Sequence, residues 1–115
     1  MSDPTFDWVR DYPAAISVCD TEGTIIALNR RAAENFRRDG GERLVGSSLF
    51  SCHPEPANAI IRRLLRDQTA NTYFVEKHGR RKLVHQAPWY RDGVFAGLSE
   101  TIIDLPAAVP TKRRD

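Results

Sequence analysis

The sequence predicts an α+β fold with β-strands at both ends of the chain and helices between them. The first observation is an alternation of apolar and polar residues in 14–28 and again from residue 71, which is typical of strands. The second is a set of apolar residues at spacings of three and four in the middle of the chain, which indicates helices. The third is a series of glycine-containing turns between neighbouring strand segments. Strands and helices segregated in this way favour an antiparallel sheet with helices on one face.

Length and composition favour a single globular domain. The chain has 115 residues, of which 41% are hydrophobic and 28% charged, and these ordinary values argue against disorder. No apolar run approaches the roughly 18 residues needed to cross a bilayer, and the acidic start does not resemble a signal peptide. Cys19 and Cys52 are too few for a disulfide framework, so we expect a cytoplasmic protein with no membrane partner.

The formal net charge of +2 comes from the end of the chain. Lys112, Arg113 and Arg114 outnumber Asp115 by two, so the basic and acidic side chains of the preceding residues balance. Because nucleic-acid-binding domains need a basic face for phosphate contacts, we expect no nucleic-acid partner. Residues 107–115 are interpreted as a basic, solvated tail that follows the domain.

The N-terminal segment, residues 1–13, is predicted to be helical. Within residues 5–12, Trp8 and Tyr12 fall on one side at helical spacing, and Pro13 ends the helix. Eight residues are marginal as an isolated helix, so this segment needs a surface to pack against. That surface is either the domain's own sheet or a second copy of the chain.

Two strands and a helix cap follow this segment. The strands cover residues 14–20 and 24–28, and the turn between them has Asp20 at its first position and Gly23 at its last. Asn29 is predicted to cap the next helix, because its side chain can accept a hydrogen bond from a free amide of the first turn.

Three helical segments then lead to the second group of strands. The first covers residues 30–38 and ends at Gly40-Gly41, and the second, 42–50, is short and irregular. The third covers 55–67 and begins in the stiff sequence His53-Pro54-Glu55-Pro56. Its apolar stripe consists of Ala57, Ile60, Ile61, Leu64 and Leu65.

From residue 71 the pattern predicts a three-stranded meander. The strands cover 71–77, 80–90 and 94–105, with turns at His78-Gly79 and Asp92-Gly93. Asp-Gly is a strong signal for a two-residue turn, because a type I′ turn needs positive φ at both central residues.

If both turns have two residues, counting along the strands sets the register. Thr72 then pairs with His85, His85 with Glu100, and Trp89 with Ala96, so Thr72, His85 and Glu100 form a polar row on an apolar face. A buried imidazole beside a carboxylate is either a structural hydrogen-bonded pair or a ligand-recognition site. The predicted core face also carries Phe74, Leu83, Ala87, Trp89, Ala96, Leu98 and Ile102. The predicted outer face carries Tyr73, Val75, Lys82, Val84, Gln86, Ser99, Thr101 and Ile103.

Several short motifs point to one family. They are Asp20-x-x-Gly23-x-Ile25-x-x-x-Asn29 at the first hairpin and helix cap, Leu44-Val45-Gly46, and the paired strands from Thr72 to Asp104. In this order and spacing they resemble the PAS domain family of sensory modules. Gly40-Gly41, Cys52-His53-Pro54-Glu55-Pro56 and Pro88-Trp89-Tyr90 are similar to a subgroup of short bacterial PAS sequences. The resemblance covers about residues 12–106.

The resemblance implies a PAS fold over residues 14–106, with a five-stranded antiparallel sheet and helices that enclose a pocket against one face. It also implies sensing of a small ligand, a cofactor or a redox state, or dimerisation within a larger signalling protein. We do not expect an enzyme, because the sequence contains no nucleophile–base set and no phosphate-binding loop.

Haem and flavin are the cofactors that remain open. His53 or His85 would be the axial ligand of haem iron, and Trp89 would either stack on a flavin or belong to the core. Cys52 lies in Ser-Cys-His-Pro, unlike the reactive-cysteine run of light-sensing relatives, so a flavin–cysteine photocycle is not expected. A zinc site needs three or four converging ligands, and the sequence shows no such set, so we expect no metal site.

We therefore expect a sensory or regulatory module that binds a small, largely apolar ligand. The alternative is an interaction domain without a ligand, whose core is filled by its own side chains. The outer face and the aromatic N-terminal segment predict a homodimer, and a signalling protein is a further expected partner. The expected ligand-binding residues are Thr72, His85, Glu100, Trp89, Leu98, Phe36 and His53.

Overall fold

A computed structural model describes residues 6–52 and 55–115 of the chain. Two strands at the start are followed by three α-helices and then three longer strands, in agreement with the predicted order. The strands are β1 (Ala15–Cys19), β2 (Ile25–Leu28), β3 (Asn71–Lys77), β4 (Arg80–Arg91) and β5 (Val94–Asp104). The helices are α1 (Arg30–Asn35), α2 (Leu49–Cys52) and α3 (Ala57–Asp67), with short 3-10 helices at Arg37–Asp39 and Gly41–Leu44.

The five strands form one antiparallel sheet in the order β2-β1-β5-β4-β3, which confirms the predicted α+β class. The helices lie on one face of this sheet. Ile61 and Leu64 of α3 pack against Cys19 of β1 and Leu98 of β5, and these four residues form the buried core cluster. Among the described residues, no helix is long and apolar enough to cross a membrane.

Asn29 is the N-cap of α1, as predicted, and it also ties three segments together. Its Oδ1 accepts hydrogen bonds from the backbone nitrogens of Ala32 and Ile16, both at 3.0 Å. Its Nδ2 donates to the carbonyl oxygens of Val9 at 3.0 Å and Ala14 at 2.8 Å. The side chain is almost fully buried and uses four hydrogen bonds to hold the N-terminal segment, β1 and α1 together.

The predicted N-terminal helix is wrong for the part of that segment that is described. Residues 6–13 contain no helix; a single turn lies at 9–12, where the backbone nitrogen of Tyr12 donates to the carbonyl of Val9 at 3.2 Å. The same carbonyl oxygen of Val9 accepts a hydrogen bond from Asn29. A segment this short gains too little from helical hydrogen bonds for a helix to form in place of this contact.

Both predicted two-residue turns of the meander are confirmed. His78 and Gly79 have φ angles of 52° and 75°, and Asp92 and Gly93 have φ angles of 50° and 80°. Positive φ at both central residues is the type I′ geometry that matches the twist of a hairpin. The first hairpin therefore has the predicted register, with Thr72 opposite His85.

The predicted register of the second hairpin is wrong by one residue. Tyr90 pairs with Phe95 as expected, but Trp89 pairs with Gly97, so Ala96 is an extra residue in β5. This is a β-bulge, and beyond it every pair is displaced; His85 lies opposite Thr101 rather than Glu100.

The bulge changes which residues share a face. On β5, Leu98 and Glu100 face the helices as predicted, but on β4 the neighbours on that face are Val84 and Gln86. Val84 is 4% and Gln86 8% exposed, whereas Phe74, predicted for the core, is 56% exposed. For β3 and β4 the predicted core and outer faces are therefore exchanged.

Candidate ligand-binding site

A cavity of about 430 Å³, partly open to solvent, lies between the sheet and the helices. This volume is within the range of about 300–1,000 Å³ that small-molecule sites occupy. The helices α2 and α3, both 3-10 helices and all five strands contribute residues to its wall. Its apolar lining residues include Ile25, Leu28, Phe36, Leu44, Leu49, Ala57, Ile60, Ile61 and Leu98.

A row of polar side chains crosses this apolar wall. The Nδ2 of Asn71 donates to the Oε1 of Gln86 at 3.0 Å, and the Nε2 of Gln86 donates to the Oε2 of Glu100 at 2.9 Å. Ser17 lies opposite Glu100 on the next strand and also lines the cavity. Gln86 is buried, while Asn71 and Glu100 are half-buried.

Strand pairing explains why these four residues form a line. Asn71 pairs with Gln86, Gln86 with Glu100, and Glu100 with Ser17, so the row runs directly across β3, β4, β5 and β1. Directly opposed residues on one face of a sheet lie within side-chain contact distance. The hydrogen bonds within the row offset the cost of placing amide groups against an apolar core.

Two further groups of the cavity stay uncharged near neutral pH. Burial raises the pKa of the Cys19 thiol above its usual value; a backbone hydrogen bond with Leu98 opposes the increase, while the charges of Asp20 and Glu100 add to it. Burial, and then the charge of Glu100, raise the pKa of the Tyr73 hydroxyl. Both side chains therefore present neutral groups to the cavity.

Three of the seven predicted site residues line the cavity, namely Phe36, Leu98 and Glu100. Thr72 and His85 do not; they lie on the opposite face, exposed, where Thr72 Oγ1 and His85 Nδ1 are 2.7 Å apart. The register error explains this, because a shift of one residue moves a side chain through the sheet. His53 lies outside the described residues.

Trp89 also lies outside the cavity lining. It is on the same face of β4 as His85 and opposite Gly97, and its Nε1 donates to the carbonyl oxygen of Cys19 at 2.9 Å. A Cβ atom at Gly97 would lie 2.0 Å from the same oxygen, so a glycine is needed where Trp89 reaches across β5. Trp89 is thus a structural residue rather than a cavity wall.

Among the lining residues that the sequence analysis missed are Asn71, Tyr73, Gln86 and Ser17. One signal pointed to them: Gly97 is an isolated glycine within a strand pattern, which often marks a bulge. A bulge at that position transfers the polar row from Thr72 and His85 to their neighbours on the other face.

The part of the chain that is described contains no group of three or more histidine, cysteine, aspartate or glutamate side chains placed to hold a metal ion. The described lining residues of the cavity also include no histidine. His85, one of the two residues considered as a haem ligand, lies on the far side of the sheet.

The chain belongs to the PAS-fold family. The family's sequence profile matches residues 9–105, which covers most of the chain. PAS domains are typically sensory rather than catalytic, and they commonly dimerise and contact signalling partners. A comparison with curated proteins found no match.

Solved structures with the same fold support this assignment. A C-terminal domain from Streptococcus mutans is 20% identical, with a TM-score of 0.66, over 84% of this chain and 78% of that one. The Aer2 receptor from Vibrio cholerae, described as a dual PAS-heme oxygen sensor, is 19% identical with a TM-score of 0.60, over 81% of this chain and 95% of that one. The PAS domain of histidine kinase ThkA is 20% identical with a TM-score of 0.63, over 79% and 98%.

Proposed function

We propose that the protein is a sensory module that binds a small, largely apolar molecule in the cavity. The observation that carries this proposal is the hydrogen-bonded row of Asn71, Gln86 and Glu100 in an otherwise apolar wall. Ligand sites combine such walls with a few convergent polar groups that fix the orientation of the ligand. On the grounds of composition given above, the proposed location is the cytoplasm.

The signal would pass from the cavity through the elements that surround it. Leu98 and Glu100 are on β5, the central strand, and β5 pairs with both β1 and β4. The first residue of β1, Ala15, follows directly on Ala14, whose carbonyl oxygen is held by Asn29. A ligand that shifts the β5–β1 pair would therefore change the position of the N-terminal segment.

Haem and flavin are less favoured occupants of this cavity. Haem needs an axial ligand, and none of the lining residues that the structure describes is a histidine. Trp89, considered as a stacking surface for flavin, lies on the other face of the sheet. A visible absorbance spectrum of the purified protein separates these cofactors from a colourless ligand.

A dimerisation module is the second candidate function, and a specific surface favours it. Phe74 and Ile103 are 56% and 39% exposed on the sheet face that none of the described helices covers, and Trp8 is 55% exposed in the N-terminal segment. Exposed apolar groups on one face are typical of interaction surfaces. This function is compatible with ligand binding, since the cavity is on the opposite face.

A calorimetric titration with indole tests the proposed ligand site. Indole is a small apolar ring with one hydrogen-bond donor, and we expect saturable binding to one site per chain. Gln86→Ala should weaken binding about fivefold, because it removes the hydrogen bonds that hold Asn71 and Glu100 in place, and a neutral hydrogen bond contributes about 1 kcal/mol.

The matched control is His85→Ala, which changes the adjacent residue of the same strand on the opposite face. It should leave indole binding unchanged. Binding that is absent in the unaltered protein, or that responds equally to the two variants, would contradict the proposed site. Native mass spectrometry of the same sample shows whether a co-purified molecule must first be removed.

A further inference from the structure

The charged side chains in the cavity wall all have the same sign. Glu100 lies on the floor formed by β5, and the exposed Asp39 lies at the edge of the cavity, in the 3-10 helix after α1. Among the lining residues that the structure describes there is no lysine, arginine or histidine. Cys19 and Tyr73 are neutral, because burial raises the pKa of each.

Arg31 and Arg62, on two of the helices that cover the sheet, form ion pairs outside the cavity. Arg62 of α3 does not line the cavity; its guanidinium lies 4.4 Å from the centre of the Phe50 ring and pairs with Glu55 at 3.2 Å. Arg31 pairs with Asp104 at 3.3 Å. No ion pair among the described residues involves the carboxylate of Glu100, and the one side-chain hydrogen bond described for it comes from the amide of Gln86.

The direction of the hydrogen bonds in the row leaves acceptors at both ends. A carboxylate accepts only, so Gln86 must turn its NH₂ group to Glu100 and its carbonyl oxygen to the NH₂ group of Asn71. The Oδ1 of Asn71 and the Oε1 of Glu100 receive no hydrogen bond from residues 6–52 or 55–115. These two oxygens can therefore accept hydrogen bonds from a ligand.

We infer that the ligand of this cavity is a small apolar amine, whose ammonium group donates hydrogen bonds to Glu100 and to the amide oxygen of Asn71. This inference rests on the proposed ligand-binding function and adds the chemical class of the ligand. A neutral hydroxyl or ring N–H fits the same acceptors more weakly, because a hydrogen bond to a charged group is about twice as strong as a neutral one. A carboxylate or phosphate would be repelled by the charge of Glu100 and would meet no cationic side chain among the described lining residues.

Three molecules with one indole ring system test this inference, because they differ mainly in the charge of the side chain. They are tryptamine, a cation; tryptophol, a neutral alcohol; and indole-3-acetate, an anion. Calorimetric titrations at neutral pH and low ionic strength should give the order tryptamine, tryptophol, indole-3-acetate. We expect tryptamine to bind at least about tenfold more tightly than indole-3-acetate.

Two variants assign the charge preference to the cavity. Glu100→Gln should bring the dissociation constants of tryptamine and indole-3-acetate to within about threefold of each other, since it removes the charge but keeps an acceptor oxygen. Glu34→Gln removes the same charge from the exposed surface of α1 and should preserve the preference, because an exposed charge acts weakly at a distance.

The possible results separate the two proposals. Equal binding of the three molecules, or tighter binding of the anion, would overturn the amine inference and leave the cavity as a ligand site. A preference for tryptamine that Glu100→Gln does not reduce would also overturn it. If none of the three molecules binds although indole does, the amine inference fails alone, and if indole does not bind either, both proposals fail. The comparison of tryptamine with indole-3-acetate in the unaltered protein is decisive even if Glu100→Gln does not fold.

Discussion

At the scale of single residues, Asn29 shows how a local rule can understate what a side chain does. The sequence predicts a helix cap at this position, and the cap is present. The predicted role involves one hydrogen bond, whereas the side chain makes four, two of them to Val9 and Ala14 in the segment before β1. Those partners are distant in sequence, so no local pattern could reveal them.

Asn29→Ala should therefore lower the free energy of unfolding by about 3 kcal/mol, which exceeds the loss of an ordinary helix cap. The variant loses four hydrogen bonds and leaves buried backbone groups unpaired. Urea unfolding measures the effect. Asn35→Ala, at the exposed end of the same helix, is the control and should change stability by no more than about 0.5 kcal/mol. Similar losses in the two variants would refute the role given to Asn29.

At the scale of elements, the bulge in β5 decides which side chains reach the cavity. Both turns of the meander were predicted correctly, so the register error did not arise at the turns. It arose at Ala96, because strand alternation assumes one residue per pair and a bulge breaks that assumption. The order and type of the strands could be predicted from periodicity, whereas the facing of β3 and β4 could not be predicted without locating the bulge.

The face of β3 and β4 that lies against the helices carries polar residues, and this made it difficult to identify as the buried face from the sequence. Hydrophobicity favours the face with Phe74, Leu83 and Trp89 as the core, but the face with Gln86 is buried because its amide groups bond to each other and to a carboxylate. Phe74 is accommodated outside, where the guanidinium of Arg81 lies 4.1 Å from its ring centre. A burial prediction from single residues does not include such pairs.

Gly97→Ala tests the close approach of β5 to β1 that accompanies the bulge. Gly97 has a φ of 146°, and an added Cβ would lie 2.0 Å from the carbonyl oxygen of Cys19, a backbone atom that cannot move freely. We expect a loss of at least about 3 kcal/mol in the free energy of unfolding, measured with urea. The control Gly93→Ala adds a Cβ in open space at a φ of 80° and should cost about 1 kcal/mol. A smaller or equal loss for Gly97→Ala would show that the strands are farther apart than described.

At the scale of the whole molecule, the two faces of the sheet have different proposed roles. The covered face forms one wall of the cavity, and the open face presents Phe74 and Ile103 to the surroundings. The family assignment and the layered architecture were predicted from the order of short motifs. The homodimer remains a prediction, and its predicted surface changes, because Tyr73 and Val84 face the helices while Phe74 takes their place outside.

Phe74→Ser should weaken self-association at least about tenfold if the open face is the dimer surface, because a large aromatic group at the centre of an interface contributes more than about 1 kcal/mol. Sedimentation equilibrium measures the dissociation constant. Val94→Ser removes a similarly exposed apolar side chain at the last hairpin turn and should have no effect. A chain that stays monomeric at high concentration, or a dimer insensitive to Phe74→Ser, would remove the basis for this surface.

The central claim is that the sheet directs Asn71 and Gln86 into a ligand-binding cavity and His85 away from it. A heteronuclear NMR titration with indole tests this claim most directly, because the side-chain amides of Asn71 and Gln86 give their own signals. We predict that these two amide signals shift in a saturable way, while the signals of His85 and Thr72 stay in place. Shifts concentrated on His85 and Thr72, or no saturable shift at all, would contradict the account.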